Sequence, residues 1–149
     1  MCAAENILEK HSFDIEGGNF SNAGTVSTKI KSILKQKNLP DDVVRRSAIV
    51  CYEAEINIVS YAKKGVISLT IRPNSVQIEA DDEGPGIPNI ELAMQQGYST
   101  ANQQIREMGF GAGMGLHNIK TYSDIFDISS EVDKGTFLKM TIHTQPAKD

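Results

Sequence analysis

The sequence has few cysteines and no long apolar run, and these absences exclude several classes of protein. Its two cysteines, Cys2 and Cys51, form no C-x-x-C motif and no Cys/His cluster, so neither a zinc site nor a disulfide framework is expected. Sparse cysteine favours a reducing compartment, and we expect the protein in the cytoplasm. No apolar stretch approaches the roughly 20 residues of a transmembrane helix, and the charged N-terminal residues lack the apolar core of a signal peptide, so no membrane association is expected.

Positive charge is also scarce. Lys and Arg number 15 against 19 Asp and Glu, which gives a formal net charge of −4. Proteins that bind nucleic acid usually carry a basic excess on one face, so direct binding to nucleic acid is not expected. A chain of 149 residues with 40% hydrophobic residues is long enough to bury a core, and it predicts a single domain over residues 1–149.

Two common phosphate-binding signatures are missing. The chain contains no G-x-x-x-x-G-K-[ST] sequence, which excludes a P-loop. It also lacks the H-R-D and D-F-G motifs of the protein-kinase fold. Any nucleotide chemistry must therefore use another fold.

Hydrophobic periodicity predicts two long helices in the first half of the chain. The first covers residues 21–38, with an apolar stripe of Val26, Ile30, Ile33 and Leu34. The second covers residues 41–65 and is apolar nearly all round, as buried helices are. Asp41 or Asp42 is its expected N-cap, and residues 63–65 are its expected end.

Two hairpins and two shorter helices complete the prediction. A strand is expected within residues 11–17, and alternating patterns predict hairpins over residues 66–82 and 124–143, the second turning at residues 133–135. A short helix should end at Gly97, a long loop should follow as a lid, and a helix should begin near Leu116. The order predicts an α+β fold, a two-layer α/β sandwich whose mixed, mostly antiparallel sheet has helices on one face.

A polar pair interrupts the second predicted helix. Glu53 and Asn57 are four residues apart and share a helix face. Hydrogen bonding to neighbouring protein groups would explain them without any function. Alternatively, Asn57 gives an oxygen ligand to Mg²⁺, and Glu53 acts one turn away as a general base or water-orienting group.

The second informative segment is D-x-G-x-G, formed by Asp82, Gly84 and Gly86 directly after a predicted strand. Asp, Gly and Pro are ordinary turn residues, so a tight turn is one interpretation. The other is a base-binding site. A carboxylate at the end of a strand can accept a hydrogen bond from the amino group of adenine, and glycines allow a flat ring to approach the backbone.

The third segment, MGFGAGMGLHNI over residues 108–119, has four glycines in seven positions, at 109, 111, 113 and 115. Bare amides at the start of a helix make an anion site, most naturally for phosphate. A flexible hinge is the alternative. No strand immediately precedes these glycines, as a dinucleotide fingerprint requires.

In this order, the three segments resemble the GHKL (Bergerat-fold) ATP-binding family over nearly the whole chain. EAEIN looks like its N-box, DDEGPGIPN and GFGAGMGL like its two glycine boxes, and KGT (residues 134–136) like its last motif. The sequence is most similar to the bacterial anti-sigma serine/threonine kinases and the switch kinases of stressosome-type modules. The resemblance implies ATP and Mg²⁺ as cofactors.

The resemblance also implies roles for individual residues. Glu53 and Arg106 would be catalytic, Asn57 would bind Mg²⁺, and Asp82 would hold the adenine amino group. Arg106 is the only cation between Arg72 and Lys120, and a solvated lid charge is the alternative for it. The implied nucleotide-binding set is Asn57, Asp82, Gly84, Gly86, Ile87, Ser99, Thr100, Gly109, Gly111, Gly113, Met114, Gly115, Leu116 and Thr136.

The function implied is a regulatory protein kinase of the anti-sigma type. It would transfer the γ-phosphate of Mg-ATP to a serine or threonine of a small STAS-like anti-anti-sigma or regulator protein. A sigma factor or a phosphatase is a further implied partner, and related kinases often form homodimers. The alternative is a nucleotide-gated protein-binding module without significant phosphotransfer, and a third interpretation is a glycine-rich domain that binds no nucleotide.

Overall fold

A computed structural model describes residues 6–95 and 115–145. The described chain folds into one five-stranded antiparallel sheet covered by helices. The strands are β1 (Glu9–Glu16), β2 (Lys64–Arg72), β3 (Ser75–Glu83), β4 (Ile125–Glu131) and β5 (Gly135–His143). The helices are α1 (Thr25–Gln36), α2 (Asp41–Tyr61), α3 (Ile90–Ala93) and α4 (Gly115–Tyr122), with a short 3-10 turn at Phe20–Asn22.

The strand order β1-β2-β3-β5-β4 puts the two hairpins side by side. All four pairings between neighbouring strands in the described chain are antiparallel. After β3 the chain crosses to the edge strand β4 and returns as β5, which pairs with β3. The end of β3 therefore lies beside the start of β5, so the first glycine box and the KGT segment meet at one end of these two central strands.

The core lies between the helices and one face of the sheet. Alternate residues of the central strands are buried there, namely Ile67, Leu69, Ile71, Val76, Ile78 and Ala80. Helix α2 crosses this face and packs against β1, β2, β3 and β5, while α1 and α4 pack against α2. The predicted sandwich with helices on one face is confirmed. In α1, Val26, Ile30 and Leu34 are buried and Ile33 packs partly against the core.

Two predicted details of α2 are wrong. Pro40 occupies the capping position without a side-chain hydrogen bond, and Asp41 and Asp42 lie in the first turn, where acidic groups still favour the positive end of the helix dipole. The helix ends at Tyr61 instead of residues 63–65. Strand pairing explains the early end, because Lys64 and Gly65 already pair with β3.

The helix that follows β3 is shorter than predicted. Helix α3 has 4 residues and begins after Asn89, whose side chain accepts a hydrogen bond from the amide of Leu92 at 3.0 Å. Gly97, its predicted end, lies outside the described residues. None of the helices within residues 6–95 and 115–145 has the length and apolar composition needed to cross a bilayer.

Candidate active site

Glu53 and Asn57 lie half-buried on the face of α2 that meets the start of α4. A Cβ atom placed on Gly115 would be 3.3 Å from Asn57 Oδ1 and 3.4 Å from Glu53 Oε2. The polar pair of α2 therefore faces bare backbone at the first described residue of α4. Residues 58 positions apart in the chain form this contact, because α4 packs directly on α2.

Glu53 has a second neighbour in α4. Asn118 Nδ2 donates to Glu53 Oε1 at 3.5 Å. Burial raises the pKa of Glu53 above its ordinary value, and the hydrogen bond from Asn118 opposes this rise. A carboxylate with a raised pKa is a better proton acceptor, so the site suits a general base. Nothing in the sequence indicates the contact with Asn118, since it depends on how two helices pack.

Asp82 lies at the end of β3 on the face that the helices cover, as the alternation from Ile78 and Ala80 requires. Its Oδ1 accepts a hydrogen bond from the backbone amide of Thr136 at 3.1 Å. Burial raises the pKa of Asp82, the Thr136 hydrogen bond lowers it, and the charge of Asp81 raises it. Among residues 6–95 and 115–145, Oδ2 has no hydrogen-bond partner, so it is available to a ligand donor.

The turn after Asp82 is fastened to the β4–β5 hairpin by hydrogen bonds. The amide of Asp133 donates to Pro85 O, and the amide of Ile87 donates to Ser130 Oγ, both at 2.8 Å. The Ser130 hydroxyl also lies 2.9 Å from Thr136 Oγ1. Ser130 thus joins the first glycine box to the KGT segment, a role that the sequence pattern does not signal.

Two glycines make this close approach of backbones feasible. Gly86 has φ +75°, and a Cβ atom there would overlap the carbonyl oxygen of Glu131. A Cβ atom on Gly135 would overlap the carbonyl oxygen of Asp82. Glycine is therefore required at positions 86 and 135 for the first glycine box and the KGT segment to pack against the neighbouring backbone, whether or not a ligand binds there.

The polar residue Asn57 of α2 and the turn that contains Asp82 both lie near the C-terminal end of α2. A Cβ atom on Gly84 would be 3.1 Å from both Ala62 Cα and Asp82 Oδ1. Ala62 directly follows α2, five residues after Asn57. Asp82 therefore lies beside the residue that follows α2, and Asn57 lies near the end of the same helix.

Of the other residues predicted to bind nucleotide or act in catalysis, some lie in the described part of the chain and some lie outside it. Leu116 packs partly against the core, and Ile87 is half-buried beside the hairpin. Seven residues lie outside the described part: Ser99, Thr100, Arg106, Gly109, Gly111, Gly113 and Met114. Their predicted roles stay predictions.

Comparison with known proteins agrees with this geometry. Residues 19–142 match the model of the histidine kinase-like ATPase domain. The chain belongs to this family. The family resemblance predicted from the sequence is confirmed, and membership of an ATPase family implies use of ATP.

Curated relatives of this ATPase domain include anti-sigma factors and a protein kinase. The chain is 32% identical over 119 residues to the anti-sigma F factor of Caldanaerobacter subterraneus subsp. tengcongensis, covering 80% of this chain and 76% of that protein. It is 33% identical, with the same coverage, to the anti-sigma F factor of Thermoanaerobacter sp. (strain X514). Over 84 residues it is 36% identical to the serine/threonine-protein kinase RsbT of Bacillus subtilis, covering 54% of this chain and 57% of that protein.

The residues of this ATPase domain fit a magnesium nucleotide. No group of three or more His, Cys, Asp or Glu side chains in the described ranges could hold a metal ion by itself. Mg²⁺ is commonly held by one or two protein oxygens together with substrate phosphates, so Asn57 Oδ1 suits this arrangement. The absence of a side chain at Gly115 keeps Asn57 Oδ1 from being covered by a Cβ atom, which would lie 3.3 Å away, and Asp82 Oδ2 can accept from an amine.

Proposed function

We propose that the protein binds ATP as its Mg²⁺ complex and transfers the γ-phosphoryl group to a serine or threonine hydroxyl of a STAS-like regulator protein. One observation carries the proposal: Glu53 and Asn57 face bare backbone at Gly115. The relatives named anti-sigma F factor and serine/threonine-protein kinase support the anti-sigma kinase class.

Asp82 is proposed to select adenine. Its Oδ1 already accepts from the amide of Thr136, which leaves Oδ2 to accept from the exocyclic amine of the base. Gly86 and Thr136 would lie beside the ring. Because the carboxylate is fixed by a backbone amide, it would bind adenine without first paying the entropy of ordering its own side chain.

Glu53 is proposed as the general base. Its carboxylate would take the proton of the attacking hydroxyl while that oxygen bonds to the γ-phosphorus and the bond to the β,γ-bridging oxygen breaks, releasing ADP. Asn57 would hold the Mg²⁺, which when bound neutralises phosphate charge. Gly111, Gly113, Gly115 and Arg106 are proposed to contact the phosphates.

A nucleotide-gated binding module without phosphotransfer is the competing function. Such a module would need Asp82 and Asn57, but it would not need a carboxylate of raised pKa one turn from the metal ligand. The position of Glu53 therefore favours an enzyme. We further propose a cytoplasmic location, a sigma factor or phosphatase as additional partner, and a homodimer.

Nucleotide binding is tested by isothermal titration calorimetry with Mg-ATP. We expect Asp82→Asn to weaken affinity at least about tenfold, because the lost acceptor charge weakens a buried hydrogen bond by more than about 1.4 kcal/mol. Asp81→Asn is the matched control, since Asp81 is the adjacent carboxylate and is exposed. Absence of Mg-ATP binding by the unmodified protein would refute the proposed function.

Phosphotransfer is tested with γ-labelled ATP and a STAS-domain protein encoded near this gene. We expect Glu53→Ala to retain nucleotide affinity and to lose transfer by a factor of about 10² or more. Equal transfer by the variant would reject Glu53 as the base. Capture of the partner that depends on nucleotide, with no phosphate incorporated, would instead favour the binding module.

A further inference from the structure

The two oxygens of Glu53 have different surroundings. Oε1 lies 3.5 Å from Asn118 Nδ2, whereas Oε2 faces Gly115, 3.4 Å from where its Cβ would be. The neighbouring Asn57 Oδ1 lies 3.3 Å from that same point. One oxygen is therefore engaged by Asn118, and the other lies beside Gly115 and the proposed metal ligand.

We infer that Asn118 is a positioning residue, which engages Glu53 Oε1 so that Oε2 is the oxygen that accepts the proton. This inference rests on the proposed function only for the role of Glu53. Glutamate has three rotatable side-chain bonds, and a base must lie within hydrogen-bond reach of the proton that it takes. A donor on a second helix limits rotation of the carboxylate and so maintains that reach.

Helix α4 provides a firm support for Asn118. The next residue, Ile119, is fully buried in the core. At the other end of the helix, Arg46 Nη1 donates to the carbonyl oxygen of Tyr122 at 3.3 Å and so joins α4 to α2. Asn118 is three residues after Gly115, and residues at this spacing share a helix face. The same face therefore presents bare backbone to Oε2 and an amide donor to Oε1.

An amide suits this role because it does not titrate. Asn118 can donate at any pH at which Glu53 is ionised, so orientation of the base would not depend on a second protonation event. Burial raises the pKa of Glu53, and the Asn118 hydrogen bond lowers it. In the described part of the chain no charged side chain contributes to the shift. Loss of the Asn118 donor should therefore raise the pKa of Glu53 further.

The direct test is a pH titration of side-chain carboxyl carbons by NMR, using ¹³C-labelled glutamate and no nucleotide. Comparison with Glu53→Gln assigns the signal of Glu53. We expect Asn118→Ala to raise the pKa of Glu53 by about half a unit, and Asn118→Asp to raise it by about one unit or more through like-charge repulsion. Lys120→Ala is the control on the same helix, since Lys120 is exposed, and it should leave the titration unchanged.

The activity of the same variants provides a second readout. We expect Asn118→Ala to lower the phosphotransfer rate about tenfold with Mg-ATP affinity unchanged, whereas a purely structural role would lower the melting temperature and leave the titration of Glu53 as it was. A Glu53 pKa identical in the unmodified protein, Asn118→Ala and Asn118→Asp would overturn the inference. Failure of the proposed function would appear separately, as absence of Mg-ATP binding, while the titration still tests the contact.

Discussion

Glu55 has no proposed catalytic or binding role, but we expect it to contribute more to the free energy of unfolding than the other described carboxylates. Only 1% of its surface is exposed. Its Oε2 accepts from the backbone amides of Gly24 at 3.0 Å and Val26 at 3.1 Å, and its Oε1 accepts from the amide of Ser27 at 3.0 Å. Gly24 is the N-cap of α1 and has no side chain to perform this function. Glu55 therefore caps α1 from a neighbouring helix.

The expected cost follows from those three amides. An ordinary N-cap contributes about 0.5–2 kcal/mol, and a buried donor left without a partner costs about 1–3 kcal/mol. Val26 and Ser27 are buried, whereas Gly24 is partly exposed and could bind water instead. Removal of the carboxylate also relieves the cost of burying a charge. We therefore expect Glu55→Ala to lower the free energy of unfolding by about 3 kcal/mol, and Glu55→Gln, which keeps one acceptor oxygen, by about 2 kcal/mol.

The assay is urea unfolding followed by circular dichroism. With a denaturant slope of about 2 kcal/mol per molar urea, a loss of about 3 kcal/mol moves the midpoint down by about 1.5 M. Glu16→Gln is the matched control, because Glu16 is an exposed glutamate on β1, and it should shift the midpoint by less than about 0.25 M. Equal midpoints for Glu55→Gln and Glu16→Gln would refute the capping role.

Two further predictions concern the first glycine box. Gly86→Ala should destabilise the fold by about 3 kcal/mol and Gly18→Ala by only about 1 kcal/mol. Both glycines have positive φ, but only Gly86 lies against the backbone of Glu131. Equal losses of stability in thermal unfolding would contradict a steric conflict between residue 86 and Glu131. Asp82→Asn should raise the melting temperature at pH 7. Since folding raises the pKa of Asp82, the ionised form costs stability above that pKa, and the advantage of the variant should shrink as pH falls toward the ordinary value of 3.8. A thermal shift that is independent of pH would contradict this linkage.

Much of the fold could be predicted because its signals are local. Alternation in β2 and β3 and the Asp133–Gly135 turn specify the two hairpins, and the stripe of α1 specifies its buried face. The end of α2 could not be predicted in this way. Lys63 and Lys64 suit a helix end by charge, but pairing of β2 with β3 takes precedence over that local preference.

The partners of the site residues could not be predicted because they come from distant parts of the chain. Glu53 and Asn57 are visible as polar residues on an apolar helix, but Asn118 has no pattern that connects it to them. Ser130 resembles any exposed strand serine until the hairpin brings it to Ile87. Such contacts depend on the packing of whole elements, which spacing along the sequence does not encode.

Helix α2 directs its alternate polar residues to opposite sides, which separates the capping role of Glu55 from the roles proposed for Glu53 and Asn57. At 100° per residue, Glu53 and Asn57 differ by about 40° around the helix axis, whereas Glu55 lies about 200° from Glu53. Glu53 therefore meets α4 and Glu55 meets α1, so each carboxylate can be changed without touching the neighbours of the other. Because α2 is buried against the sheet through its intervening apolar residues, neither helix can shift far without breaking one of these contacts. The EAEIN segment thus has a capping carboxylate between the proposed base and the proposed metal ligand, so the stability and activity of single variants should separate the two roles.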